Sequence, residues 1–190
     1  MPIKNQRGFS MLEVLISMLV IMIGVLGIAG MQMLAINNSE NARYEGQATI
    51  LASGLAAEMQ ANPGFWATAA TPASVTVTGT TISGVAAGST CLSVPCSAAQ
   101  MAYYDLQNFG AAMAGVANLD GVTYNGTALP SGSGTISCTL ATISTPAICT
   151  IMLTWFEKNT ALSNDTGSAG QLQNATAQAH TYQTLVSIQP

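Results

Sequence analysis

The sequence predicts an α+β fold, with one long N-terminal helix packed on a small antiparallel β-sheet head, the apolar first half of that helix spanning a membrane. Three observations carry this. From Val14 to Met31 no residue is charged, and extending the run to Ala35 adds only Gln32. An apolar stripe at helical spacing then continues to Met59, just ahead of Asn62-Pro63-Gly64. Beyond Pro63 the chain turns into short Thr- and Ser-rich apolar runs of strand character, interrupted by one amphipathic segment.

The N-terminal run is long enough to cross a bilayer core, which takes about 20 residues as a helix. Lys4 and Arg7 precede it, so the N-terminus is expected to stay cytoplasmic and the rest to be exported. The second part of the helix is read from Tyr44, Ala48, Leu51, Leu55 and Met59, which follow one helical face; Thr49, Ser53 and Gln60 fall opposite. That stripe is a surface facing the core of the domain behind it. Pro63 disfavours helix at the residue before it. From residue 9 to Asn62 such a helix would be about 80 Å long at 1.5 Å per residue.

In the head, Val75 to Thr78 and Thr80 to Ser83 flank Gly79 and predict a small hairpin. Ser97 and Gln100 have capping-box spacing at the start of a second helix. Met101, Leu106, Phe109 and Met113 form its apolar side, and it fades near Val116. Residues 134–140 and 147–155 predict two strands around Thr145-Pro146, with Cys149, Ile151, Leu153 and Trp155 on one face. Thr181 to Ile188 predicts another strand, and the polar stretch from Asn159 to Ala179 a surface loop.

Charged residues make up only 6 % of the chain, against about a quarter in ordinary soluble domains. Ala, Gly, Ser and Thr replace them, a composition suited to a secreted or surface-exposed protein. Four basic against eight acidic residues give a net charge of −4. Such a chain lacks the Lys and Arg that neutralise phosphates, so no direct nucleic-acid binding is expected. With one His, no G-x-S-x-G, no phosphate loop and no paired-acid motif, neither catalytic residue nor cofactor is expected. Asp105 reads as a solvated helix residue, since no second acid or His stands near it in sequence.

Cys91, Cys96, Cys138 and Cys149 form an even set behind an exporting segment, which favours disulfides in an oxidising compartment over buried thiols. Three pairings are open. A hairpin centred between Ile143 and Ser144 places Cys138 opposite Cys149, within disulfide reach. Cys91–Cys96 would then close a small loop at the helix start. The C-x4-C and C-x10-C spacings with the lone His180 argue against a zinc site, so no metal is expected.

Glu13 is the anomaly of the apolar run, since a carboxylate at the edge of a membrane span is costly and usually marks function or pairing. Cutting between Gly8 and Phe9 would free an α-amino group on Phe9, four residues before Glu13 and on the same helical face. Amine and carboxylate could then neutralise each other within a subunit or between two. Lys4-Asn5-Gln6-Arg7-Gly8 followed by Phe9-Ser10-Met11-Leu12-Glu13 resembles the class III signal of type IV prepilins and pseudopilins. Met11 replaces the commoner Leu. The resemblance implies cleavage after Gly8 by a prepilin peptidase, methylation of Phe9, and docking of the subunit through Glu13. Cleavage would also remove Lys4 and Arg7, leaving two basic side chains against eight acids, or −6.

Residues 23–32, Ile-Gly-Val-Leu-Gly-Ile-Ala-Gly-Met-Gln, and 52–64, which end in Ala-Asn-Pro-Gly, are similar to PilV-type minor pilins, as is the helix from Cys96 to Phe109. Gln60 stands where Arg is usual in that family. A cleaved secretory signal, with Gly27-Ile28-Ala29 as its site, is disfavoured because it would put Glu13 at the head of the apolar core. The resemblance implies a minor pilin of a type IV pilus, in the filament or its tip or priming complex, supporting assembly, adhesion and twitching motility. Its implied partners are the prepilin peptidase, other major and minor pilins and the inner-membrane assembly platform. The alternative is a minor pseudopilin of a type II secretion system. The expected division is leader 1–8, membrane and assembly half 9–35, amphipathic half 36–62 and periplasmic head 63–190, held first in the inner membrane and then in a surface pilus.

Overall fold

The computed structural model describes residues 10–68, 73–88, 91, 95–118, 121–124, 128–139, 141–142, 145–158 and 177–189. Its elements in chain order are α1 (Met11–Ala61), α2 (Pro63–Trp66), β1 (Ser74–Thr78), β2 (Thr81–Ser83), α3 (Ala98–Ala114), β3 (Ser133–Thr139), β4 (Ala147–Lys158) and β5 (Ala177–Ile188). The chain thus has the expected α+β architecture. It divides into two compact units, Met1–Ala42 and Arg43–Pro190, with α1 contributing to both.

In the first unit, Met11–Gln32 is a 22-residue apolar helix long enough to cross a membrane. At 1.5 Å per residue it spans about 33 Å, against a hydrocarbon core of about 30 Å. None of that window is buried within the chain, and Leu15, Ile21 and Leu26 are 67 %, 64 % and 73 % exposed. Ser17 is accommodated because its hydroxyl donates to the Glu13 carbonyl at 2.7 Å, so the one hydroxyl of the run is satisfied inside the helix.

The second unit is a five-stranded antiparallel sheet of order β2-β1-β3-β4-β5, packed on helical segments. Ala48, Ala52, Leu55 and Met59 from the Arg43–Ala61 part of α1 are fully buried or nearly so, with Tyr44 and Leu51 partly buried beside them. The sheet's inward side chains include Val75, Val77, Ile136, Ile151, Leu153 and Trp155, all in the same core cluster. Alternation along β4 buries Cys149, Ile151, Leu153 and Trp155 as the sequence implied. Ile148 and Met152, on the opposite face of the strand, point outward and are exposed.

Helix ends are set by local chemistry. Pro63 opens α2, and the Asn62 amide donates to the Ala98 carbonyl at 2.8 Å, tying the end of α1 to the start of α3. Ser97 caps α3 with a full capping box, its hydroxyl accepting from Gln100 N–H and the Gln100 side chain accepting from Ser97 N–H at 2.9 Å. α3 stops at Gly115 in the left-handed region (φ 69°), where Val116 N–H reaches back to the Ala111 carbonyl at 3.0 Å. Met101 departs from expectation: it is 38 % exposed, while Leu106, Phe109 and Met113 are buried. β5 starts at Ala177, four residues before the strand read from the sequence, because its pairing with β4 extends to Lys158↔Ala177. Residues 159–176 of the expected loop lie outside the described residues.

Gly110 lets α3 sit on the β1–β2 hairpin. A Cβ there would overlap the Gly79 carbonyl oxygen in the hairpin turn and lie 2.7 Å from Val77 Cγ1 on β1. Gly110→Ala should therefore destabilise the head by about 1–3 kcal/mol through overpacking. Thermal unfolding followed by circular dichroism measures this, and an unchanged midpoint would refute the close approach.

Candidate functional site

The residues proposed for cleavage and methylation, Gly8 and Phe9, lie outside the described residues. The described residues begin at Ser10, whose carbonyl accepts from Glu13 N–H at 3.0 Å and Val14 N–H at 3.4 Å. Glu13 therefore sits in the first turn of α1, where a carboxylate is favoured by the unpaired N–H groups and helix dipole. Its side chain is exposed, and so are those of Met11, Leu12, Val14 and Leu15 around it. Among the described residues no cation lies within ion-pairing distance of Glu13. The acid stands on an apolar rod with nothing in its own described chain to neutralise it.

The head carries the two disulfides drawn from the cysteine spacing. Cys138 pairs with Cys149 across directly opposed positions of β3 and β4, and Cys91 pairs with Cys96 just before the Ser97 cap. All four cysteines are thus consumed. By loop-closure entropy the two bridges contribute about 3 and 2 kcal/mol respectively.

Two polar constellations were not read from the sequence. The first joins α1 and α3. Desolvation on the head raises the Glu58 carboxyl to about 7, with the nearby Asp105 charge adding to it. Asp105 is raised to about 6 by burial. The expectation that Asp105 is a solvated helix residue is thereby corrected: it is half-buried, and the acid it feels comes from a distant part of the chain. Glu58 remains exposed as a whole side chain, so solvent screens part of its shift, and Asp105 is the firmer contributor.

The second constellation sits where β4 and β5 pair. Glu157 is 5 % exposed. One of its carboxylate oxygens accepts from Trp155 Nε1 at 2.6 Å; the other has no hydrogen bond and faces His180 Nε2 at 3.5 Å. His180 stands opposite Trp155 in register and stacks on it, ring centroids 5.9 Å apart. Strand parity could have shown Trp155 and Glu157 on one face. His180 could not be placed, because the long stretch between the strands hides the register. The arrangement joins two strands. Among the described residues no three metal-ligating side chains come together.

The acid pair on α1 and α3 makes a pH prediction. Both folded-state values lie above the ordinary ones of 4.5 and 3.8, so the native state holds protons that the unfolded chain releases. The stability these two groups contribute is fully present below about pH 4 and is lost as pH rises through about 6 to 7. The melting temperature should be higher at pH 5 than at pH 8, and Asp105→Asn should flatten that slope. A midpoint that rises with pH over this window would contradict it.

Comparison with known families places two matches on this geometry. Residues 3–29 match the prokaryotic N-terminal methylation motif, a stretch that includes Gly8, Phe9, Glu13 and most of the exposed apolar helix. Residues 30–107 match the family described as type IV pilin Tt1218, covering the rest of α1, α2, the β1–β2 hairpin and α3 through Gln107. No curated protein and no solved structure matches the chain.

Proposed function

Because this chain is a type IV pilin-like protein, of a structural and non-enzymatic family, we propose that it is a minor pilin of a type IV pilus. The reading rests on one coincidence: the methylation motif overlies a 22-residue apolar helix that its own chain leaves bare. Such a surface has two physical solutions, lipid or other apolar helices, and a pilin uses each in turn.

In this reading the leader 1–8 is cut after Gly8 by the prepilin peptidase, and Phe9 becomes the methylated N-terminus. The subunit waits in the inner membrane with residues 9–35 in lipid, N-terminus cytoplasmic, and the head 63–190 in the periplasm behind the amphipathic segment 36–62. The assembly platform then moves it into the filament or its tip or priming complex, where lipid contacts are exchanged for contacts with other major and minor pilins. Glu13 and the Phe9 amine neutralise each other across neighbouring subunits, removing the cost of drawing a carboxylate into an apolar bundle. At the cell surface the subunit supports pilus assembly, adhesion and twitching motility. The PilV-type resemblance of residues 23–32 and 52–64 favours this role over a minor pseudopilin of type II secretion. A deletion that removes pili but spares protein secretion supports it; the opposite phenotype overturns it.

Mass spectrometry of the mature N-terminal peptide tests the first step, which requires a chain beginning at a monomethylated Phe9. Any other start, or an unmodified amine, refutes the proposal. Glu13→Ala should still be cleaved yet enter pili more than tenfold less, since leaving one desolvated charge unpaired costs about 3–5 kcal/mol. Normal incorporation measured in sheared pili would refute the docking role.

A further inference from the structure

The two edges of the head sheet are unequal. On one side lies β2, three residues long. On the other lies β5, twelve residues long and paired with β4 in unbroken register from Ala147↔Ile188 to Lys158↔Ala177. Long open edges recruit further strands, and proteins ordinarily blunt them with proline, charge, a bulge or shortness. β2 is short. β5 contains no proline, no Asp, Glu, Lys or Arg, and no bulge.

Strand register fixes where the backbone groups of β5 point. On the β3 side, the Thr139 hydroxyl accepts from Ile148 N–H at 3.2 Å and donates to the Ile148 carbonyl at 3.1 Å. Neighbouring residues of a strand alternate, so Cys149 turns its N–H and C=O towards β5 and meets Val186, its partner in register. The 4.0 Å Cα separation of Cys138 and Cys149 agrees, since opposed residues lie closest where they exchange no backbone hydrogen bonds. By the same alternation Thr184, Tyr182 and His180 bond β4, while Ala179, Thr181, Gln183, Leu185 and Ser187 turn their N–H and C=O away from the sheet. The Ser187 carbonyl accepts from Gln60 Nε2 at 3.5 Å. Among the described residues no hydrogen bond reaches the outward backbone groups of the other four, and all four are exposed.

Two features of this edge select its occupant. Outward N–H and C=O groups recurring at every second residue are matched by another extended backbone laid about 4.8 Å away. On the core side of the edge Val186 is buried and Tyr182 and Thr184 are half-buried, with Tyr182 packed on the core cluster. An added strand covers these with every second side chain, which must then be apolar; the intervening ones face out beside Thr181 and Gln183. We propose that β5 docks an extended segment of another protein, alternately apolar and polar, as a sixth strand along residues 179–185. The inference goes beyond the filament-subunit reading and does not depend on it, because the head presents the same edge in a membrane or a pilus.

The probe is a heptapeptide alternating threonine and valine, with blocked ends, added at millimolar concentration to the isotope-labelled full chain in detergent micelles. Amide hydrogen exchange, read by nuclear magnetic resonance, should be fast at Thr181, Gln183 and Leu185 in the free chain and at least tenfold slower with peptide. Exchange at Tyr182, Thr184 and Val186, already bonded to β4, should not change. Gln183→Pro removes only an outward N–H, so it should keep the fold and abolish the slowing at Thr181 and Leu185. A peptide with proline at its centre should fail on the unaltered chain, which decides the matter should the variant misfold by circular dichroism. Absence of slowing, equal slowing by the proline peptide, or slowing in a folded Gln183→Pro variant overturns the inference. So does slow exchange at these amides in the free chain, which would mean that its own segments cover the edge. Protection that rises with chain concentration alone overturns it too, by assigning the edge to a second copy. The N-terminal peptide mass reads the filament proposal separately, so the two can fail independently.

Discussion

Every other property of this chain follows from an apolar helix surface that the protein does not cover. A soluble domain would bury a run such as Met11–Gln32 in its own core; here the whole window is bare. At about 25 cal/mol per Å² of apolar surface, exposure of such a rod to water is costly, which favours a covering of lipid or of other chains. That requirement makes the head's self-sufficiency necessary. Its core closes on Arg43–Ala61 of α1 and on the sheet, without calling on the apolar half. One helix thus carries two kinds of surface, with the change marked by the polar residues between Asn37 and Arg43.

Much of this could be read from the residues because the signals are local. A long uncharged run, a proline after an asparagine, and a serine three residues before a glutamine each fix their element through nearest neighbours. The capping box at Ser97 and the end of α1 before Asn62 formed as the sequence implied. The Cys138–Cys149 pairing was also legible, since two residues equidistant from a turn must meet across a hairpin. What resisted reading depends on distant partners. Asp105 looked solitary because Glu58 reaches it from another helix. His180 looked idle because its register against Trp155 is set across residues 159–176. Met101 fits the apolar side of α3 by period, yet lies at its edge, where the core ends.

The functional segment shows the same division. Glu13 was recognisable from the cost of its position alone, and the structure adds that no described group of its own chain answers it. Gly8 and Phe9 rest on motif and family match.

The Cys138–Cys149 bridge has a mechanical consequence for the head under load. It forms a covalent rung near the loop end of the β3–β4 ladder, whose pairs run on to Ser133↔Thr154. The turn already joins the strands at that end, so a pull on the flanking chain opens the hairpin only from Ser133↔Thr154 inward and stops at Cys138↔Cys149. The bridge thereby limits how much chain the hairpin can pay out, and the loop behind the rung never bears the load.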